Sequence, residues 1–146
     1  MFRRVLVGFD GSASSLQALR VALGVATHGS GEATVLIVIP PTHGETEADR
    51  IASFDDDARS LQAMAQQELD AARGEDLTTS LHVVSAEHPA KTLASYAEAH
   101  GYDLLVVGRH GRERAMHGGL GKVARELADA SPCPLLLVGN GRTELG

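Results

Sequence analysis

The residues best suited to chemistry lie between Val106 and Arg125. Gly108, Gly111, Gly118, Gly119 and Gly121 are spread through a segment that also holds Arg109, Arg112, Arg114, Lys122 and Arg125, with Glu113 as its one acid. Glycine lets backbone N–H groups come close to phosphate oxygens, and the cations add charge. The segment leaves an apolar, strand-like run and re-enters a helical pattern at Gly121, so the N–H groups of that helix and its dipole point at an anion. The chemistry this suits is phosphate binding. Taken singly, Gly108 and Gly111 equally fit a tight turn after a strand. A second group stands at another strand end: Asp10 follows the apolar run Val5 to Phe9 and can accept hydrogen bonds from ribose hydroxyls.

Two familiar phosphate motifs are absent. Gly121-Lys122 ends like a P-loop, but Met116 stands where that motif needs glycine and Val123 where it needs serine or threonine. Gly8 and Gly11 do not make the G-x-G-x-x-G of a dinucleotide fold. The seven histidines show no i, i+4 pair of the kind a helical metal site uses, and there is no cysteine cluster. His110 and His117 share the loop and are expected as solvated or phosphate-contacting groups. Ser12, Ser14 and Ser15 read as helix-capping residues before they read as phosphate ligands. Glu45, Glu47, Asp49 and Asp55 to Asp57 read as a solvated loop and a helix start. No one residue marks a magnesium site, although magnesium beside the phosphates is possible.

These groups need a scaffold. Val5–Phe9 reads as a buried strand, with a helix over residues 12–27 that Gly29 and Gly31 end. Ala33–Ile39 is a second strand stopped by Pro40-Pro41, and residues 40–54 read as a polar loop. A helix over 55–73 carries Leu61, Met64, Ala65, Leu69 and Ala72 on one face, with Asp55, Asp56 and Asp57 at its positive end. Thr79–Val84 is a third strand, and Pro89 opens a helix to about His100. Asp103–Gly108 is a fourth strand, Gly121–Ala130 the last helix and Leu135–Val138 a fifth strand. Strict alternation of strand and helix calls for right-handed crossovers and a mostly parallel sheet covered on both faces. If the spatial order is 3-2-1-4-5, the first and fourth strands are neighbours at the switch point, where open sheets bind ligands. Asp10 and the glycine loop then face one crevice, with Ile39 at its side.

Bulk properties narrow the classes. A chain of 146 residues is most simply one domain, 1–146, with a polar tail over 140–146 that is expected to fray. It is 43% hydrophobic but 3% aromatic, an aliphatic composition that suits helices on a parallel sheet. The net charge of −6 argues against general nucleic-acid binding. Cys133 is the single cysteine, so no internal disulfide forms, and a small buried thiol is expected there. No apolar run suits a signal peptide or a membrane span, so a cytoplasmic location is expected.

Gly108-x2-Gly111-x9-Gly121, the start Arg4–Ser12 and the ending Ala130–Val138 together resemble the universal stress protein family in its ATP-binding branch. The match runs over nearly the whole chain. The resemblance implies a three-layer α/β/α sandwich of the adenine nucleotide alpha hydrolase-like type, with a five-stranded parallel sheet in the order 3-2-1-4-5. It implies an adenine nucleotide (ATP, or AMP or ADP) with the base near the backbone of Ile39 and Asp10 near the ribose and base. Gly108, Arg109, His110, Gly111, Gly121, Lys122 and Val123 would lie along the ribose and phosphates. It also implies a homodimer through the fifth strand, Leu135–Val138, which would otherwise be an exposed apolar edge. One departure stands out: Lys122 occupies the position after the last glycine where the family pattern has serine or threonine.

Three functions follow as expectations. The first is a nucleotide-binding regulatory or stress-response module with little or no turnover, acting on a partner protein that the sequence does not name. The second is a slow ATPase or phosphotransferase using His110, His117 or Asp10. The third is a dimeric interaction protein that has lost the nucleotide, with Lys122 marking the loss.

Overall fold

The protein is described here from a computed structural model, in which residues 2–29, 31–42, 46–74, 76–111 and 120–139 are placed. The elements in chain order are β1 (Arg4–Gly8), α1 (Ala13–His28), β2 (Glu32–Ile39), α2 (Glu47–Ala71), β3 (Thr78–Ser85), α3 (Pro89–Ala99), β4 (Leu104–Gly108), α4 (Lys122–Ala130) and β5 (Leu135–Val138). The five strands form one sheet in the order β3-β2-β1-β4-β5, and every pairing is parallel. This is the expected α/β sandwich with the expected strand order.

The period-two alternation of the strands divides the core in two. Val5, Val7, Val35, Ile37 and Val106 point to one face and pack beneath α1 and α2. Leu6, Leu36, Leu105 and Val107 point to the other and pack beneath α3 and α4. Because both faces are covered, β1 and β4 read as continuous apolar runs rather than alternating ones. One polar group survives in the second layer. Thr34, 1% exposed, shares a 2.8 Å hydrogen bond with Ser80 and accepts one of 2.7 Å from the Tyr102 hydroxyl, so its burial leaves nothing unpaired.

One sequence expectation fails here. Residues 40–54 are not all loop, because α2 starts at Glu47. Thr46 is its N-cap and accepts a 3.1 Å hydrogen bond from the Asp49 N–H, while Glu47 and Asp49 occupy the dipole's positive end. Asp55, Asp56 and Asp57 therefore lie two turns inside the helix. The first turns are polar because they overhang the sheet's carboxyl end; the buried stripe begins at Ala58 and continues through Leu61, Ala65 and Leu69. The tail beyond Gly139 lies outside the described residues.

Candidate functional site

The carboxyl ends of β1 and β4 are neighbours, and their connections run in opposite directions into α1 and α4. A cavity of about 810 Å³ opens there, within the range of small-molecule sites. Asp10, Ile39, Gly108, His110, Gly111, Gly121, Lys122 and Val123 all line it. The side chain of Arg109 does not belong to that wall. A Cβ on Gly139, at the end of β5, would lie 3.8 Å from its Cδ, so it runs along the neighbouring strand end. Arg109 contributes backbone instead, donating to the Val138 carbonyl at 2.8 Å and accepting from the Gly121 N–H at 2.7 Å. His117, Arg112 and Arg114 lie outside the described residues.

Asp10 is held by the turn it begins. Its Oδ1 accepts the Ser12 N–H at 2.9 Å, and Gly11 takes φ of 83°, a conformation that suits glycine. Its Oδ2 faces the glycine loop, 3.1 Å from where a Cβ on Gly111 would stand. Ser12 then joins the two halves of the crevice. As N-cap of α1 its Oγ accepts the Ser15 N–H at 3.1 Å and donates to the His110 carbonyl at 3.3 Å. The capping role expected of a serine is thus filled by Ser12. Ser14 and Ser15 are buried against β4, where a Cβ on Gly108 would meet Ser14 Cβ at 2.7 Å. That close approach fixes the angle at which the loop leaves the strand.

Across the crevice stands the N-terminus of α4. Gly121 is its N-cap and offers no side-chain acceptor. The first intrahelical bond runs from the Arg125 N–H to the Gly121 carbonyl at 3.0 Å, so the N–H groups of the first turn are directed outward at the positive end of the dipole. His110 Nδ1 is buried without a hydrogen-bond partner among the described residues, which leaves one ring nitrogen of that loop uncommitted. Lys122 approaches an acid of the same wall. Its side chain is 80% exposed and its Nζ lies 4.0 Å from Glu126 one helical turn on.

The end of the crevice beside β2 is apolar. Phe9, Leu61 and Ile39 line it, and the Ile39 carbonyl accepts the Ala86 N–H at 3.2 Å while keeping a second lone pair. The Leu36 carbonyl takes the Phe9 N–H, so Val38, two residues on, turns its peptide groups the same way beyond the last β1 rung. Arg125, one of the cations of the glycine-rich segment, also lines the wall, as do Asp57, Glu87, His88 and Glu126, which were not anticipated from sequence as site residues. Glu87 and His88 follow the end of β3, so extending the strand-end rule to that strand would have found them. Asp57 comes from α2, whose start the sequence misplaced. Among the described residues no group of three or more histidine, cysteine, aspartate or glutamate side chains converges as a metal site. No described helix is long and apolar enough to cross a membrane.

Comparison with known proteins agrees with this architecture. The universal stress protein UspA from Lactobacillus plantarum superposes with a TM-score of 0.75 at 25% identity, covering 94% of this chain and 97% of that one. A universal stress protein solved in complex with cAMP gives 0.70 at 26% identity, over 94% and 97% of the two chains. The universal stress protein from Archaeoglobus fulgidus, solved in complex with dAMP, gives 0.68 at 17% identity over 94% and 98%, a likeness of fold. The model of the universal stress protein family matches residues 1–139, and the chain belongs to that family.

Proposed function

We propose that this protein binds an adenine nucleotide in the crevice between β1 and β4 and acts as a homodimeric, cytoplasmic regulatory module of the stress response with little or no turnover. The observation that carries the reading is the opposition of two groups across one cavity. The Asp10 carboxylate faces the Gly108–Gly111 turn, and the uncapped N-terminus of α4 faces it from the other side. A ribose hydroxyl suits the first, and a phosphate suits the second. The base then lies among Phe9, Leu61 and Ile39, with Ile39 and Val38 offering backbone groups to its edge. A relative at 26% identity solved with cAMP supports the ligand class.

In this reading the nine residues expected from sequence divide by role. Asp10 holds ribose and Ile39 the base. Gly108, His110, Gly111, Gly121 and Val123 follow the ribose and phosphates, and Arg109 supports them through its backbone. Lys122 is free to leave Glu126 for a terminal phosphate. Magnesium would arrive with the phosphate oxygens of ATP, since magnesium sites use few protein carboxylates. Low turnover fits the state of Asp10, whose Oδ1 is committed to the Ser12 N–H. The dimer fits the contrast between the two sheet edges: β5 is Leu-Leu-Leu-Val and half-buried, whereas β3 is polar and exposed at its start.

The test is direct. Mass spectrometry of the denatured, purified protein identifies copurified nucleotide, and calorimetry with AMP and ATP measures binding. Asp10→Ala is expected to weaken AMP at least about tenfold, as loss of a charged hydrogen bond does. No copurified nucleotide and no heat at high protein concentration would overturn the reading.

A further inference from the structure

A second cavity of about 320 Å³ adjoins the base end of the crevice. The two share Ile39, Pro40 and Asp57, so they meet where β2 ends. Beyond that boundary Pro41, Ile51 and Phe54 form an apolar wall of the second cavity, and Thr42, Glu47, Arg50, Ser53 and Ser85 form its polar side. An apolar wall facing polar groups that can fix orientation is what small-molecule sites present. Ile51 is the informative residue. It is 56% exposed, against 37% for Phe2 and 36% for Val21, the other large apolar side chains exposed among the described residues. The core does not use it, and it lies in this cavity's wall.

We infer that the second cavity receives an apolar substituent carried on the exocyclic amine of the adenine, making the preferred ligand an N6-alkylated or N6-arylalkylated adenine nucleotide. The inference rests on the proposed nucleotide reading. In the proposed pose the base lies against Ile39 and turns the edge bearing its exocyclic amine toward the end of β2. That edge faces the residues the two cavities share. A secondary amine keeps one N–H for the strand carbonyl and directs its substituent past Pro40, towards Ile51 and Phe54. Unsubstituted adenine leaves this apolar wall in water; a prenyl or benzyl group covers it.

The experiment compares AMP, N6-isopentenyl-AMP and N6-benzyl-AMP by calorimetry on the full chain and on Ile51→Ala and Ile51→Asp. Ile51 is exposed and lies outside the crevice wall, so both variants are expected to fold and to bind AMP as the wild type does. The expected result is binding about tenfold tighter for at least one substituted nucleotide, a gain of the size that burying a few methylene groups gives. Ile51→Ala should reduce that excess and Ile51→Asp abolish it. If AMP binds and both substituted nucleotides bind no better, this inference is wrong while the nucleotide reading stands. If the excess survives Ile51→Asp, the substituent lies elsewhere and the inference is equally wrong. If none of the three binds, the nucleotide reading fails and takes this inference with it. Thermal-shift measurements report whether each variant is folded.

Discussion

Replacing Gly108 by alanine tests the junction on which the crevice depends. A Cβ there would lie 2.7 Å from Ser14 Cβ, 2.8 Å from Ser14 carbonyl carbon and 2.8 Å from Ser15 nitrogen. Carbon atoms in van der Waals contact sit about 3.5–4.0 Å apart, so the two elements must separate by roughly 0.7 Å or more. Two of the three atoms are helix backbone, and no rotamer change relieves them. The first turn of α1 has to move away from β4. Overpacking of this kind costs about 1–3 kcal/mol, which for a small domain lowers the urea midpoint by about 1 M. Gly24→Ala provides the control within the same helix. Gly24 is exposed, nothing lies within 4 Å of its added Cβ, and the change should stabilise the protein by about 0.5–1 kcal/mol. The two variants also separate stability from function. Moving α1 disturbs the 3.3 Å bond from Ser12 to the His110 carbonyl, so Gly108→Ala should weaken AMP about tenfold under conditions where it stays folded. Gly24→Ala should leave affinity unchanged. Equal urea midpoints for Gly108→Ala and wild type would refute the steric argument, and unchanged AMP affinity would refute its link to the site.

Lys122→Ser removes the cation proposed to reach a terminal phosphate and frees Glu126 from its 4.0 Å partner, so ATP affinity should fall several-fold, worth about 1 kcal/mol; a gain in nucleotide affinity would favour the reading in which Lys122 marks a lost site. Tyr102→Phe removes the 2.7 Å bond to Thr34 but leaves Thr34 its bond to Ser80, so chemical denaturation should show a loss of only about 1 kcal/mol; a loss above 3 kcal/mol would mean that the pair is not redundant. Burial pushes the Cys133 thiol up, with Asp103 adding to the shift and the Ser131 hydrogen bond opposing it. Its thiolate is therefore scarce at pH 8, and iodoacetamide should label it more slowly than an exposed model thiol, the rate rising as pH climbs; labelling at the model rate at pH 8 would contradict this. Leu137→Pro removes an N–H that points away from β4, since the ladder bonds use the Pro134 and Val138 carbonyls, and should shift the proposed dimer to monomer by analytical ultracentrifugation while a folded monomer persists. A persistent dimer would place the interface elsewhere.

The parts of this fold that sequence revealed are those where one residue pattern had one physical outcome. β1, β4 and β5 are apolar runs closed by turn residues, and alternation with helices left a parallel sheet as the arrangement that covers both faces. The glycine spacing from Gly108 to Gly121 and the position of Asp10 identified two strand ends that the topology brings together. The first turns of α2 were illegible because Ile51 is exposed at a cavity and Phe54 alone extends the buried stripe there, so their surroundings read as polar loop. Phe9 follows β1, Asp57 and Leu61 lie one turn apart on α2, and Glu87 follows β3, so they converge from three separate parts of the chain. Their meeting depends on how the helices pack over the sheet, and no spacing along the chain encodes it.

Charge is where linear and spatial readings diverge most. Along the chain, five cations and one acid between Arg109 and Arg125 suggest an electropositive cradle. In space, Arg109 lies along the end of β5, Lys122 sits beside Glu126, and Asp10, Asp57, Glu87 and Glu126 all line the same crevice. Exposed pairs such as Lys122 and Glu126 are worth little, so the described side chains offer a phosphate no strong excess of positive charge. What remains is the first turn of α4, which lines the crevice and whose N–H groups have no side chain at Gly121 to cap them. The proposed recognition of an anion there would depend on backbone geometry, and that geometry depends on the Gly121–Arg109 hydrogen bond and the contact of Gly108 with α1. In the proposed reading Gly108, Gly111 and Gly121 therefore matter more than the side chain of Arg109: they set where the N–H groups point, and the helix dipole supplies the field.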